Sequence, residues 1–97
     1  MNMQAMMRQV QNMKNEITKI KDEIDNMEFS STNSFVTVFA NGKKEILKIE
    51  IDNDSLDNDD VEMLQDILVV ALNDVFKKID DLTEKKMSKY GNIPGLF

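Results

Sequence analysis

The chain has 97 residues, 12 of them basic and 18 acidic for a net charge of −6, and it contains neither Cys nor His. This length suits one domain with a modest core that a partner subunit would enlarge. The missing Cys and His exclude a disulfide framework, thiolate or imidazole metal sites and the commonest general base, and an acidic balance taken alone disfavours nucleic acid.

The first residues are Met- and Gln-rich, without the basic segment and apolar core of a secretory signal. Met3, Met6, Val10, Met13, Ile17, Ile20, Ile24 and Met27 alternate in steps of three and four, an unbroken a/d heptad stripe. No Gly or Pro interrupts Asn2 to Glu28. The spacing predicts one helix of roughly 26 residues, about 39 Å long. A helix of that length outgrows a globule this small, which points to a protruding arm or an intermolecular seam.

Periodicity then changes to that of strands. Phe29 to Thr32 reads as a short strand and Ser31 to Ser34 as a polar turn. Phe35 to Ala40 is β-branched and aromatic, and Asn41-Gly42 is the signal for a two-residue type I′ hairpin. The returning strand, Lys44 to Asp52, places Leu47, Ile49 and Ile51 on one face and Ile46, Lys48 and Glu50 on the other.

An acidic loop follows, with Asp57, Asn58 or Asp59 as caps and Asp59 with Glu62 at capping-box spacing. The loop fails the calcium-loop pattern, since Asp57 and Met63 stand where Gly and Glu are needed. A second helix is predicted from about Asp59 to Lys89. Leu64, Leu68, Ala71, Leu72, Val75, Ile79 and Leu82 form its stripe. Ile67, Val70 and Phe76 widen that stripe beyond what a small sheet covers, which marks a subunit interface. Leu68, Ala71, Leu72, Asn73, Val75, Phe76 and Ile79 are its expected residues. Residues 1–90 are read as one domain and 91–97, with Gly, Asn and Pro, as a loosely ordered tail. The longest apolar run is too short to span a bilayer, so the default is a cytoplasmic protein without membrane, small-molecule, cofactor or metal partners. No phosphate loop or nucleophile motif supports an enzyme.

Charge is unevenly distributed. Glu50 to Asp66 carries eight acidic and no basic side chains, and the remainder holds 12 basic against 10 acidic. Two basic groups stand off the apolar stripes: Arg8, Lys14 and Lys21 on the first helix, and Lys77, Lys78, Lys85, Lys86 and Lys89 on the second. Each is either an ordinary solvated face or a set of phosphate contacts.

The order of elements, together with Val36-x-Val38-x-x-Asn41-Gly42, Glu50-Ile51-Asp52, Glu62-Met63-Leu64-x-Asp66, Ala71-Leu72-Asn73-Asp74-Val75, Lys77-Lys78-Ile79, Lys85-Lys86-Met87 and the Pro94-Gly95 tail, resembles the YbaB/EbfC family of nucleoid-associated proteins. The resemblance spans nearly the whole chain. It implies an α+β fold in the order α-β-β-β-α, with a three-stranded antiparallel sheet flanked by helices and a tweezer-like homodimer. It also implies a place in the nucleoid, binding of double-stranded DNA with little sequence preference, and effects on nucleoid organisation and gene expression. Carried onto this chain, the eight basic residues above are the DNA-binding candidates. Asn73 and Asp74 are read as a structural pair, buried and hydrogen-bonded across the dimer, in preference to direct DNA contact. Two departures are local. The chain starts almost directly in its helix, where relatives often carry a Gly-rich basic leader, and Ser31 to Ser34 replaces a glycine-containing turn. The alternative from the residues alone is a coiled-coil-type module that binds another protein.

Overall fold

A computed structural model describes residues 2–54 and 56–90. The chain runs α1 (Met3–Asp25), β1 (Glu28–Asn33), β2 (Val36–Asn41), β3 (Ile46–Ile51), a 3₁₀ turn (Asn58–Asp60), α2 (Val61–Met87) and a second 3₁₀ turn (Ser88–Tyr90). The three strands form one antiparallel sheet in the order β1-β2-β3. The molecule is elongated, 70 Å along its longest axis.

α1 is shorter than its heptad pattern. Asn2 caps its start by accepting from Gln4 N at 2.9 Å. Asn26 ends it: its backbone N–H and its side-chain amide both donate to Asp22 O. Met27, the last heptad position, therefore lies outside the helix.

Both strand connections differ from expectation. Ser31 to Asn33 belong to β1, and the β1–β2 turn is Ser34-Phe35, with Ser34 in the left-handed region at φ 52°. One positive φ at the first turn position is the pattern of a type II′ hairpin. At Asn41-Gly42 the loop is not the expected two-residue type I′. Asn41 N donates to Glu45 O and Lys44 N to Asn41 O, leaving three loop residues, and the left-handed one is Lys44 at φ 65°. This is the three-residue hairpin with a bulge. Asn41 Oδ1 holds the loop by accepting from Lys43 N and Glu45 N. A second irregularity between Phe39 and Ala40 sets Ile46 opposite Ala40, so Ile46 joins the inner row rather than the expected outer one.

The core is where α2 lies across β1 and β2. Val36, Val38 and Ala40 on the sheet meet Ala71, Val75 and Ile79 on α2, all essentially fully buried, with Leu64, Ile67, Leu68, Leu72 and Phe76 around them. Ala71, Val75 and Ile79, three of the expected interface residues, are enclosed within one chain, because they are the stripe that faces the sheet. Leu68, Leu72 and Phe76 remain half-buried, and Asn73 and Asp74 are exposed in the single chain rather than buried. Every residue of β3 is exposed. The reciprocal box belongs to the 3₁₀ turn ahead of α2: it joins Asp57 and Asp60, with Asp59 N donating to Asp57 Oδ1 and Asp57 N to Asp60 Oδ2, whereas Asp60, the N-cap of α2, makes no side-chain cap hydrogen bond to α2.

Candidate nucleic-acid interface

α1 leaves the sheet and reaches outward. Its Ile17, with Met13 and Ile20, packs on Met87 and Tyr90 at the far end of α2. Further in, Ile24 and Ile79 line a shared groove beside Gly42. The two helices therefore run antiparallel as an arm, with α2 ending midway along α1.

The clasp at that point is polar as well as apolar. Tyr90 Oη donates to Glu16 Oε2 at 2.7 Å. Lys89 Nζ lies 3.6 Å from the same carboxylate and 5.1 Å from the Tyr90 ring centre. Accepting from Tyr90, and secondarily the charge of Lys89, holds Glu16 below the ordinary carboxylate range. Partial desolvation, then the Glu16 hydrogen bond, pushes the Tyr90 phenol up. Lys89 is held above the ordinary lysine range by Tyr90 first and Glu16 second.

The basic candidates fall into two places. Lys14, Lys21, Lys85, Lys86 and Lys89 gather on the outer arm around this clasp, with Arg8 further out on α1. Lys77 and Lys78 sit nearer the sheet. Lys77 pairs with Asp81 at 2.8 Å, and Lys78 donates to Ser30 O at 2.9 Å and lies 3.8 Å from Asp74. Among the described residues Arg8, Lys14, Lys21, Lys85 and Lys86 make no ion pair, so their charges are free to meet a ligand. Three further cations belong to the arm's surroundings. Lys19 is exposed on α1. Lys43 and Lys44 ride on the β2–β3 turn, and Lys44 Nζ contacts Asp80 at 2.7 Å. The Lys43-Lys44 pair beside Asn-Gly was the available signal, but only the fold brings that turn to the base of the arm.

Charge is polarised along the molecule. Residues 3–21 and 82–90, the outer arm, hold seven basic and two acidic side chains. The rest holds five basic and sixteen acidic. A positive arm on an acidic body is the electrostatic form that meets a polyanion while repelling it elsewhere.

A second surface is apolar. Ile49 and Ile51 stand opposite Val38 and Val36, so they share the inner face of the sheet, yet α2 does not cover them and both are 42% exposed. Lys78 reaches β1 through Ser30, and helical spacing puts Leu72, Phe76 and Val69 on the opposite flank of α2, towards β3. Together they make an apolar ledge with an open strand edge. Among the described residues no helix is long and apolar enough to cross a membrane, and no cluster of three or more metal-ligating side chains occurs.

Comparison with known proteins agrees with this geometry. A nucleoid-associated protein of Clostridium novyi is 44% identical, covering 100% of this chain and 90% of its own length. One of Pelotomaculum thermopropionicum is also 44% identical, over 99% and 96%. The crystal structure of an uncharacterized Helicobacter pylori protein superposes with a TM-score of 0.72 at 26% identity, covering 93% of this chain and 97% of that one. The model of the YbaB/EbfC DNA-binding family matches residues 1–93. With its α-β-β-β-α fold and positive arm, the chain belongs to the YbaB/EbfC family of nucleoid-associated DNA-binding proteins.

Proposed function

We propose that the chain acts as a homodimer that grips double-stranded DNA through its arms, with little sequence preference, in organising the nucleoid and affecting gene expression. The observation that carries this reading is the seven-to-two basic excess confined to the outer arm. Lysine and arginine on rods contact phosphates, which position a protein on a duplex without reading bases. No base-reading constellation accompanies them: the outer arm has one Arg, at position 8, and its polar residues are spread along α1. The acidic body favours an end-on approach, with the arms forward. The ledge of Ile49, Ile51, Val69, Leu72 and Phe76, flanked by Leu68 and Asn73, is the surface on which a second copy would sit, and it leaves both arms free.

Electrophoretic retardation of unrelated duplexes across a salt series tests this. Retardation independent of sequence that weakens steeply as salt rises is the expected result, because bound phosphates release counterions. No retardation at low salt and micromolar protein would sink it. The exposed methionine stripe of α1 favours a second reading, a helix-pairing module for another protein, and that result would leave it standing.

A further inference from the structure

Only two acidic side chains, Glu16 and Glu84, stand among the seven cations of the outer arm. They are placed very differently. Glu84 is exposed and holds no ion pair among the described residues. Glu16 is held through one oxygen: its Oε2 accepts from the Tyr90 hydroxyl at 2.7 Å and lies 3.6 Å from Lys89 Nζ. Two donors from the turn that ends α2 thus converge on a single anionic oxygen. A backbone phosphate presents the same kind of oxygen and takes the same charge-assisted bonds.

The donors are set in advance. The Tyr90 ring is buried against Ile17 and Met87, which fixes its hydroxyl, and Lys89 Nζ rests 5.1 Å from the centre of that ring. The side chains of Glu16 and Lys89 are 58% and 63% exposed. A ligand therefore reaches both without opening the core, and the carboxylate leaves by turning about its own side-chain bonds. Lys85 and Lys86 precede the turn on α2, and neither holds an ion pair among the described residues.

We propose, on the reading that the arm grips DNA, that the Tyr90 hydroxyl and the Lys89 ammonium form a seat for one backbone phosphate, and that Glu16 occupies this seat in the free protein. A duplex displaces the carboxylate because it offers many phosphates at once. Those held at Arg8, Lys85 and Lys86 raise the effective concentration of the one at the seat. Glu16 then has two effects of opposite sign. It ties the helices of the free arm together, and it opposes DNA by filling the seat and by its charge.

Retardation of one duplex at fixed low salt, with thermal melts alongside, tests this in the full-length protein. Glu16→Gln should lower the melting temperature yet tighten DNA binding by about tenfold, the low end of what a hydrogen bond to a charged group carries. Glu84→Gln makes the same charge change on the same arm and should tighten binding only about two- to threefold, as for an exposed charge. In a chain carrying Tyr90→Phe and Lys89→Gln the two substitutions should become equal, because the seat is gone. Weaker binding by Glu16→Gln overturns the proposal, as does a gain no larger than that of Glu84→Gln. So does an excess gain that survives Tyr90→Phe with Lys89→Gln. Tyr90 is the single tyrosine of the chain, and its ring resonances should shift when duplex is added. Unmoved resonances in a bound complex would likewise overturn the seat. If the parent protein retards no duplex at all, the DNA reading itself falls and takes the seat with it.

Discussion

At the residue scale, Gly42 shows why a correct turn signal can hide a different cause. A Cβ there would lie 1.8 Å from the carbonyl oxygen of Ile24. The residue that turns left-handed is Lys44, so Gly42 is required by the closeness of the α1 end. Asn-Gly in sequence announces a hairpin, but it cannot announce a helix arriving from outside the strand pair. Gly42→Ala should therefore destabilise by about 1–3 kcal/mol, the usual range for overpacking, and denaturant melts would read it. Retained stability would mean the helix end shifts freely. Ser31 offers the opposite sign. Its side chain is buried against α2, and its hydroxyl has no hydrogen-bond partner among the described residues. An unsatisfied buried hydroxyl costs about 1–3 kcal/mol. Ser31→Ala should raise the denaturant midpoint at unchanged slope, and a lowered midpoint would show that the hydroxyl is satisfied after all.

At the scale of elements, the heptad stripe announced α1, and the wide stripe announced α2, because both patterns are local. What stayed hidden is which part of each stripe is covered within one chain. By apolar spacing alone, Ala71, Val75 and Ile79 look like interface residues. Only the placement of α2 over β1 and β2 makes them core and leaves Leu72 and Phe76 at its flank. The clasp between helices was equally illegible, since Glu16 and Tyr90 are 74 positions apart. Its pH dependence follows from the lowered Glu16 pKa. A carboxylate held below its unfolded value contributes fully above the ordinary 4.5 and loses that contribution as pH falls through the lower folded value. Tyr90→Phe and Glu16→Gln should each lower the melting temperature at neutral pH by a few degrees. The gap to the parent protein should close as acid protonates Glu16. A gap that persists unchanged in acid would assign the loss to packing instead.

At the scale of the whole molecule, the net charge misleads and the distribution informs. The basic residues were all visible in the sequence, but Lys14 and Lys21 are far in sequence from Lys85, Lys86 and Lys89. Only the antiparallel arm puts them around one clasp, while Lys77 pairs along α2 with Asp81 and Lys78 reaches the sheet through Ser30. That division yields a graded expectation. Lys85→Glu with Lys86→Glu reverses two cations that hold no internal partner, so DNA affinity should fall across all duplexes alike. The slope of log affinity against log salt should also shrink by about one for each phosphate no longer neutralised. Lys77→Glu with Lys78→Glu should affect DNA less and folding more, because it discards contacts made within the chain. The arm variant also separates the arm from the proposed dimer surface. Sedimentation of the arm variant should match the parent, whereas Ile49→Asp with Phe76→Asp should yield monomers by placing charge on the apolar ledge. Equal reductions of DNA affinity in the Lys85/Lys86 and Lys77/Lys78 variants would mean that the duplex lies along the whole length of α2, and the arm would no longer be its particular site.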